Sequence, residues 1–200
     1  MKSIKVLIPV LTGLLLIAAC SSPAVTGIKV HIQNSEYQEA VHLADSVIAA
    51  GEGENPEVWY WRGRAFSMMR NWEGSAESFK KTYELDPTYA ENISNYWPAF
   101  YNTATAYSNE GNTDEAIAML ETGRSILPSR PEFDQMLGQI ALNDDRKEDA
   151  LGFFMESIDL AMARIEILQG SIAEAADPVV AEQLGEEMDR MTASVVLSSY

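Results

Sequence analysis

Hydrophobic positions recur along this chain at the spacing of amphipathic helices. Between residues 36 and 50 the apolar side chains are three and four residues apart, and the same spacing returns in later segments as far as residue 172. Most of these segments are short, and they end at a polar turn or at a proline. Short amphipathic helices in succession predict an all-α fold in which each helix buries one face against its neighbours.

Turn residues divide the pattern into paired helices. Gly51 follows one predicted helix directly, which is a common place for glycine. Pro56 and Pro178 stand where a first-turn proline suits a helix start. The predicted helices span residues 27–33, 36–50, 56–69, 72–85, 99–109, 113–127, 131–143, 147–176 and 178–197.

The segment from residue 56 to residue 87 has a recognisable order of aromatic and small side chains. The matching positions are Trp59, Gly63, Phe66, Phe79 and Pro87. This order resembles one tetratricopeptide repeat, a helix–turn–helix unit of about 34 residues. Three positions depart from the repeat: Arg62 replaces a leucine, Ser75 replaces an alanine at the helix contact, and Thr82 replaces a later small residue.

The same order recurs along the chain. A second unit spans residues 97–128, with Phe100, Ala104, Tyr107, Gly111, Ala116, Leu120 and Pro128 in matching positions. A third spans residues 131–160 with Leu137, Gly138, Ala150 and Phe154, although Asp134 stands in the tryptophan position. A degenerate unit at residues 27–50 matches through Tyr37, Ala40, Ala44 and Val47. The resemblance implies a right-handed superhelical solenoid.

Extra chain separates the first two clear repeats. They begin 41 residues apart, whereas the next interval is 34 residues. Residues 88–96 therefore form either a loop or an early extension of the next helix. Pro98 favours a break or kink at this point, because proline lacks a backbone donor.

The C-terminal region departs from the repeat pattern. Its heptad-like stripe consists of Leu151, Phe154, Ile158, Ala161, Ile165, Leu168 and Ile172. We expect the second helix of the third repeat to extend to about residue 176, with Gly170 as a weak point. The final helix, residues 178–197, is predicted to cap the solenoid. The alternative is self-association through Leu151, Phe154, Ile158, Ile165 and Leu168.

The N-terminus has the pattern of an export signal. Two lysines precede an apolar run from Val6 to Ala19, and Cys20 follows small residues. This pattern resembles a bacterial lipoprotein signal, with residues 1–19 removed, Cys20 lipidated and residues 20–26 forming a tether. The resemblance implies a lipid-anchored protein of the cell envelope, and Ser21 favours the outer membrane facing the periplasm.

Charge and composition restrict the function further. The net charge of −16 opposes binding to nucleic acid, and it reflects either solubility or attraction of a basic partner. His31 and His42 lie in no catalytic motif, and Cys20 is the only cysteine. We find no signature of a catalytic site, a metal site or a cofactor site. The sequence therefore favours a non-enzymatic protein.

The resemblance implies that the first helices of successive repeats line a groove. The groove residues expected from position are Tyr60, Trp61, Arg64, Met68, Tyr101, Asn102, Thr105, Gln135, Gln139 and Asn143. Glu132 and Met136 occupy positions where a clamp for a terminal carboxylate needs basic or polar donors. We expect a scaffold that binds envelope proteins of unknown identity in this groove. The alternatives are a small-molecule or peptide-binding accessory protein, with an apolar pocket lined by Trp61, Met68 and Tyr101, or a homo-oligomer.

Overall fold

The structure, a computed structural model, describes the backbone of residues 22–198 and the side chains of residues 22–193. The predicted signal segment and Cys20 lie outside the described residues. Helices account for nearly all of the described chain, so the predicted all-α solenoid class is confirmed. The helices are α1 (Pro23–Gln33), α2 (Tyr37–Val47), α3 (Pro56–Met68), α4 (Trp72–Leu85), α5 (Ala90–Ile93), α6 (Pro98–Asn109), α7 (Thr113–Ile126), α8 (Pro131–Asn143), α9 (Lys147–Glu174) and α10 (Pro178–Ser198).

The first helix begins earlier than the sequence pattern indicates. Ser22 caps α1 by accepting a hydrogen bond from the Val25 backbone N–H at 3.2 Å, and Pro23 suits the first turn. Residues 23–26, which we expected in a tether, therefore belong to α1. At the other end of this pair, a single π-helical turn, Ile48–Glu52, follows α2 and includes Gly51 in the left-handed region at φ 111°.

The helices pack as successive pairs. Helix α1 lies against α2, α3 against α4, α6 against α7, and α8 against α9, and each pair also contacts the next one. The turn inside each pair contains one residue with positive φ: Ser35 (63°), Arg70 (57°), Gly111 (82°) and Asp145 (59°). Because the same turn geometry recurs, the pairs stack in one direction as a solenoid.

The closest helix contacts within the pairs match a small residue to a large one. A Cβ atom added to Gly63 would lie 2.8 Å from the Phe79 ring, and one added to Gly138 would lie 2.7 Å from Phe154. The middle repeat has Ala104 and Leu120 at the corresponding positions, and both are fully buried. Where the first helix of the pair has alanine instead of glycine, the second helix therefore has leucine instead of phenylalanine.

Hydrogen bonds accommodate the three departures from the repeat. Buried Ser75 donates its hydroxyl to the Gly63 carbonyl oxygen at 2.9 Å, across the contact between α3 and α4. Thr82 donates to the Ser78 carbonyl oxygen at 2.9 Å. The Arg62 guanidinium donates to the Ser78 hydroxyl at 2.8 Å. The polar groups brought into the core are therefore paired, which avoids the cost of burying them alone.

The extra chain between the first two clear repeats is helical and packed. It consists of a 3₁₀ turn at Pro87–Tyr89, helix α5 and a second 3₁₀ turn at Ser94–Tyr96. We call residues 87–96 the insert. Ile93 is fully buried, and Arg130 donates to the Ser94 carbonyl oxygen at 2.9 Å. The insert is thereby tied to the turn before α8, and α6 then begins at Pro98.

The last two helices form an antiparallel pair. Helix α9 continues through Gly170 without a break, and α10 folds back along it. Arg164 and Glu187 form an ion pair between the two helices, and Leu168 is only 5% exposed. The predicted self-association stripe is therefore partly covered within the chain: α10 packs against the second half of α9, and the Phe154 ring lies against Gly138.

Asp134 is a buried carboxylate in α8. Its side chain is 0% exposed and borders a cavity of about 420 Å³ together with Arg124. The Arg124 Nε atom lies 2.8 Å from Asp134 Oδ1, but neither carboxylate oxygen accepts a hydrogen bond of good geometry. Burial raises the pKa of Asp134 above its usual value, although Arg124 acts in the opposite direction.

Asp134→Asn is expected to change how stability depends on pH. The folded chain holds the Asp134 proton more tightly than the unfolded chain, so this group removes stability as the pH rises from about 3.8 through the raised folded pKa. The variant has no carboxyl group here to lose a proton. Its free energy of unfolding should therefore rise relative to that of the wild type as the pH increases through this range. Urea unfolding at a series of pH values measures the difference. Asp159→Asn, at an exposed position, serves as the control, and a pH-independent difference for Asp134→Asn would contradict the assignment.

Candidate functional site

An aromatic cluster joins α3 to the insert. The Tyr60 ring lies 5.4 Å from Trp61, 5.4 Å from Tyr89 and 6.4 Å from Tyr96, measured between ring centroids. Phe79 of α4 completes the cluster at 4.9 Å from Tyr96. Contacts of this kind add to the stability gained from burying the rings. The insert is therefore held against the face of the first clear repeat.

Arg64 lies over this cluster. Its guanidinium carbon is 4.4 Å from the centroid of the Trp61 ring and 5.8 Å from those of Tyr60 and Tyr96. Trp61 and Tyr60 are three and four residues before Arg64, so the three side chains share one face of α3. No carboxylate of the described residues forms an ion pair with Arg64. Its charge therefore lies against three ring faces, in a strongly acidic chain.

The guanidinium borders an open cleft of about 480 Å³. We call it the Arg64 cleft; it is lined by Tyr60, Arg64, Glu91, Asn92, Asn95 and Tyr96. Glu91, Asn92 and Asn95 of the insert are exposed along its rim. An asparagine amide both donates and accepts hydrogen bonds, as a peptide group does. The cleft therefore combines one cation, a carboxylate, two amides and aromatic walls.

The hydroxyls of Tyr60 and Tyr89 stay protonated in the physiological range. Burial raises the pKa of Tyr60, Tyr96 adds to this effect, and Arg64 opposes it. Burial also raises the pKa of Tyr89, with further contributions from Glu57 and Asp86. The Tyr60 wall of the cleft is therefore uncharged, and the charged side chains that line the cleft are Arg64 and Glu91.

The predicted groove residues of α3 differ in their surroundings. Tyr60 is only 9% exposed, so most of its ring belongs to the core and a small part borders the cleft. Trp61 is half-buried, with Lys29 Nζ 5.1 Å from its ring centroid on the α1 side. Met68 is exposed at the end of α3. Among the predicted groove residues of this helix, Arg64 is thus the one that is both accessible to a ligand and charged.

The predicted residues of the next two repeats make contacts of their own. The half-buried Tyr101 ring lies 5.7 Å from Trp97. Thr105 of α6 lies 3.8 Å from the sulfur of Met136 in α8, which joins the first helices of the two repeats. The remaining predictions are placed as follows: Asn102 and Gln135 are half-buried, and exposed Gln139 donates to exposed Asn143 at 3.0 Å.

The repeat pattern does not identify the residues of the insert that lie beside the cleft and the aromatic cluster. Tyr89, Glu91, Asn92, Asn95 and Tyr96 lie outside the repeat pattern, so no repeat position assigns them to the groove. The available signal was the longer interval of 41 residues between the two repeats. Segments held on a rigid scaffold often carry binding residues, so the aromatic and amide side chains of the extra segment are candidates for a binding role.

The described residues show neither a metal cluster nor a membrane span. No group of three or more His, Cys, Asp or Glu side chains in this part of the chain is arranged to hold a metal ion. None of its helices combines the length and the apolar character needed to cross a bilayer. The groups in the Arg64 cleft are suited to binding by charge, hydrogen bonding and stacking.

Successive helix pairs that pack side by side define a helical repeat solenoid. Two sequence profiles of the tetratricopeptide repeat match, one at residues 27–90 and the other at residues 98–122. These two segments of the chain therefore match the tetratricopeptide repeat. The first match includes the degenerate N-terminal pair. No curated protein sequence matches the chain significantly.

Several solved structures are similar to the chain. A crystal structure of MamA is 17% identical to the chain, covers 72% of it and 79% of the MamA chain, and has a TM-score of 0.50. A MamA structure from Desulfovibrio magneticus RS-1 is 17% identical and covers 86% and 94%, with a TM-score of 0.46. YrrB, titled a TPR protein with an unusual peptide-binding site, is 15% identical and covers 70% and 86%, with a TM-score of 0.32. The first similarity supports the fold, and the other two are too weak to support an argument.

Proposed function

We propose that this protein is a non-enzymatic scaffold that binds a segment of a partner protein in the Arg64 cleft. The observation that carries the proposal is Arg64 itself, a half-buried guanidinium that lies over three aromatic rings and forms no ion pair with the described residues. A cationic side chain that is already held in place beside a cleft loses little conformational entropy when a ligand binds. It is therefore suited to anchor a partner.

The groups around Arg64 indicate what the partner segment contains. A carboxylate of the partner can pair with the guanidinium, because charge-assisted hydrogen bonds to arginine are strong and directional. The amides of Asn92 and Asn95 can bind backbone groups on either side of that carboxylate. Glu91 disfavours a second acidic group close by. The cleft therefore fits an extended segment with a single anchoring acid.

The scaffold is proposed to act at a membrane. The apolar run from Val6 to Ala19 followed by Cys20 supports a lipid anchor, with α1 beginning only three residues after Cys20. Such an anchor would hold the solenoid close to the periplasmic face of the outer membrane. The partner is then an envelope protein, and the scaffold brings it to that surface.

A crosslinking capture experiment in native membranes tests the proposal. Arg64→Glu reverses the charge in the cleft and is expected to abolish capture of the partner. Arg70→Glu is the matched control, because it makes the same charge change at an exposed arginine in the turn between α3 and α4. Circular dichroism establishes that both variants remain helical.

Two outcomes would contradict parts of the proposal. Equal capture by the Arg64→Glu variant and the wild type would show that the cleft does not bind the partner. Cys20→Ser is expected to release the protein from the membrane fraction, and its retention there would contradict the lipid anchor. The two parts of the proposal are thereby tested separately.

A further inference from the structure

A second surface for a partner lies on α9. Leu151, Met155 and Met162 are 61%, 57% and 56% exposed, respectively. They are four and seven residues apart, so they share one face of the helix over about 16 Å. Half-buried Ile158 lies between them on the same face. We call these four residues the α9 stripe.

The three exposed residues of the α9 stripe lie away from the buried face of the helix. Helix α9 packs against α8 and α10, and its buried residues Ala150, Ser157, Ala161 and Leu168 lie on a different side from the stripe. Ser157 fixes this orientation by donating its hydroxyl to the Pro131 carbonyl oxygen at 3.0 Å. The stripe consequently lies on a side of α9 that α8 and α10 leave open. A row of large apolar side chains with this degree of exposure indicates an interaction surface.

A row of acidic side chains borders the stripe. Glu148 precedes Leu151 by three residues, Asp159 follows Met155 by four, and Glu166 follows Met162 by four. Positions three and four apart are neighbours on a helix surface. All three carboxylates are exposed. The surface therefore combines an apolar stripe with a negative edge.

From this combination we infer that the α9 stripe binds a basic amphipathic helix of a partner protein. The apolar face of such a helix covers the four stripe residues, and its lysines or arginines pair with the acidic row. Methionines suit this contact because their flexible side chains adapt to the shape of the partner helix. This surface is distinct from the Arg64 cleft, so the inference does not depend on the function proposed for the cleft.

Charge argues against the other occupants of this surface. In a dimer formed through two α9 stripes, acidic edges would approach each other in molecules that each carry a net charge of −16. An anionic lipid surface would be repelled in the same way. A basic helix, in contrast, is attracted by the acidic side chains at the edge of the stripe.

The test measures binding of the full-length protein to two labelled synthetic helices by fluorescence anisotropy. One helix has leucines at helical spacing flanked by lysines, and the other has the same leucines flanked by glutamates. We expect the wild type to bind the lysine helix at least about tenfold more tightly. Met155→Gln with Met162→Gln should remove most of this binding without changing the melting temperature, because both side chains are exposed.

Charge-reversed variants separate the α9 stripe from general attraction by an acidic protein. Asp159→Lys with Glu166→Lys should favour the glutamate helix instead. The matched control, Glu77→Lys with Glu121→Lys, makes the same total charge change at exposed positions on α4 and α7 and should keep the original preference. Arg64→Glu should also bind like the wild type, since the cleft is elsewhere.

Several results would overturn the inference. One is equal binding of the two synthetic helices by the wild type. Another is binding by the methionine variant that is as tight as that of the wild type. A third is a loss of the preference for the lysine helix in the Glu77/Glu121 control that equals the loss in the Asp159/Glu166 variant. A dimer in sedimentation experiments that disappears with the methionine variant would identify a second copy as the occupant and would equally overturn it.

Discussion

Replacing Gly63 by alanine is expected to lower the free energy of unfolding by about 2 kcal/mol, because it overpacks the contact between α3 and α4. The new Cβ would lie 2.8 Å from Phe79 Cε1 and 2.9 Å from Cδ1. The Phe79 ring is fully buried and packed against Tyr60 and Tyr96, so it has little room to move. The clash therefore outweighs the gain of about 1 kcal/mol that alanine brings to a helix.

Phe79→Leu should partly relieve the clash in the double variant. The middle repeat of the chain already combines alanine with leucine, at Ala104 and Leu120. Chemical unfolding of Gly63→Ala, Phe79→Leu and the double variant gives the coupling energy between the two positions. Additive losses would show that the two residues do not act as a size-matched pair.

Gly170→Ala provides the control for this experiment. It makes the same change inside α9, where no atom outside the local helix backbone lies within 4 Å of the added Cβ. The substitution should stabilise the protein by up to about 1 kcal/mol, because alanine is the better helix former. The opposite signs expected at Gly63 and Gly170 separate a packing clash from backbone propensity.

Tyr96→Ala is expected to lower the free energy of unfolding by about 2–3 kcal/mol and to weaken binding in the Arg64 cleft. The ring lies 4.9 Å from Phe79 and contributes one of the three faces under Arg64. Removing a packed aromatic side chain leaves a void and costs several kcal/mol when burial is complete. Tyr96 is half-buried, so the expected loss is near the lower end of that range.

Tyr96→Phe is the matched variant, because it keeps the ring and removes only the hydroxyl. Its stability should stay within about 1 kcal/mol of the wild type, and capture of the partner should persist. Urea unfolding and the crosslinking assay measure the two effects. If Tyr96→Ala left stability unchanged, the insert would not be packed on α3 as the structure shows.

The positions of the repeat helices followed from local sequence signals. Pro56 begins α3 and Pro131 begins α8, as expected for a first-turn proline, and the turn at Gly111 separates α6 from α7. Such signals act over one or two helical turns. They could be recognised without knowledge of the tertiary contacts, because capping and helical periodicity depend on neighbouring residues.

The candidate site was only partly predictable. Arg64 and Trp61 were assigned to the groove from their repeat positions; the structure places Arg64 at the cleft and the Trp61 ring against the Arg64 guanidinium. Tyr60 was assigned in the same way, but its ring is only 9% exposed and packs against Tyr89 and Tyr96 of the insert. The insert has no repeat pattern, so its position depends on contacts that no periodicity encodes.

The sequence by itself determined the helix pairs, the repeat register and the all-α class, because these arise from short-range spacing, turns and capping. Only the tertiary structure decided that the insert packs against Tyr60, that Arg130 ties it to the turn before α8, and that α10 covers the second half of α9. Those contacts join residues between 23 and 36 positions apart, as in the pairs Arg164–Glu187 and Arg130–Ser94. Their geometry depends on how the surfaces of whole helices fit together, which local pattern does not specify.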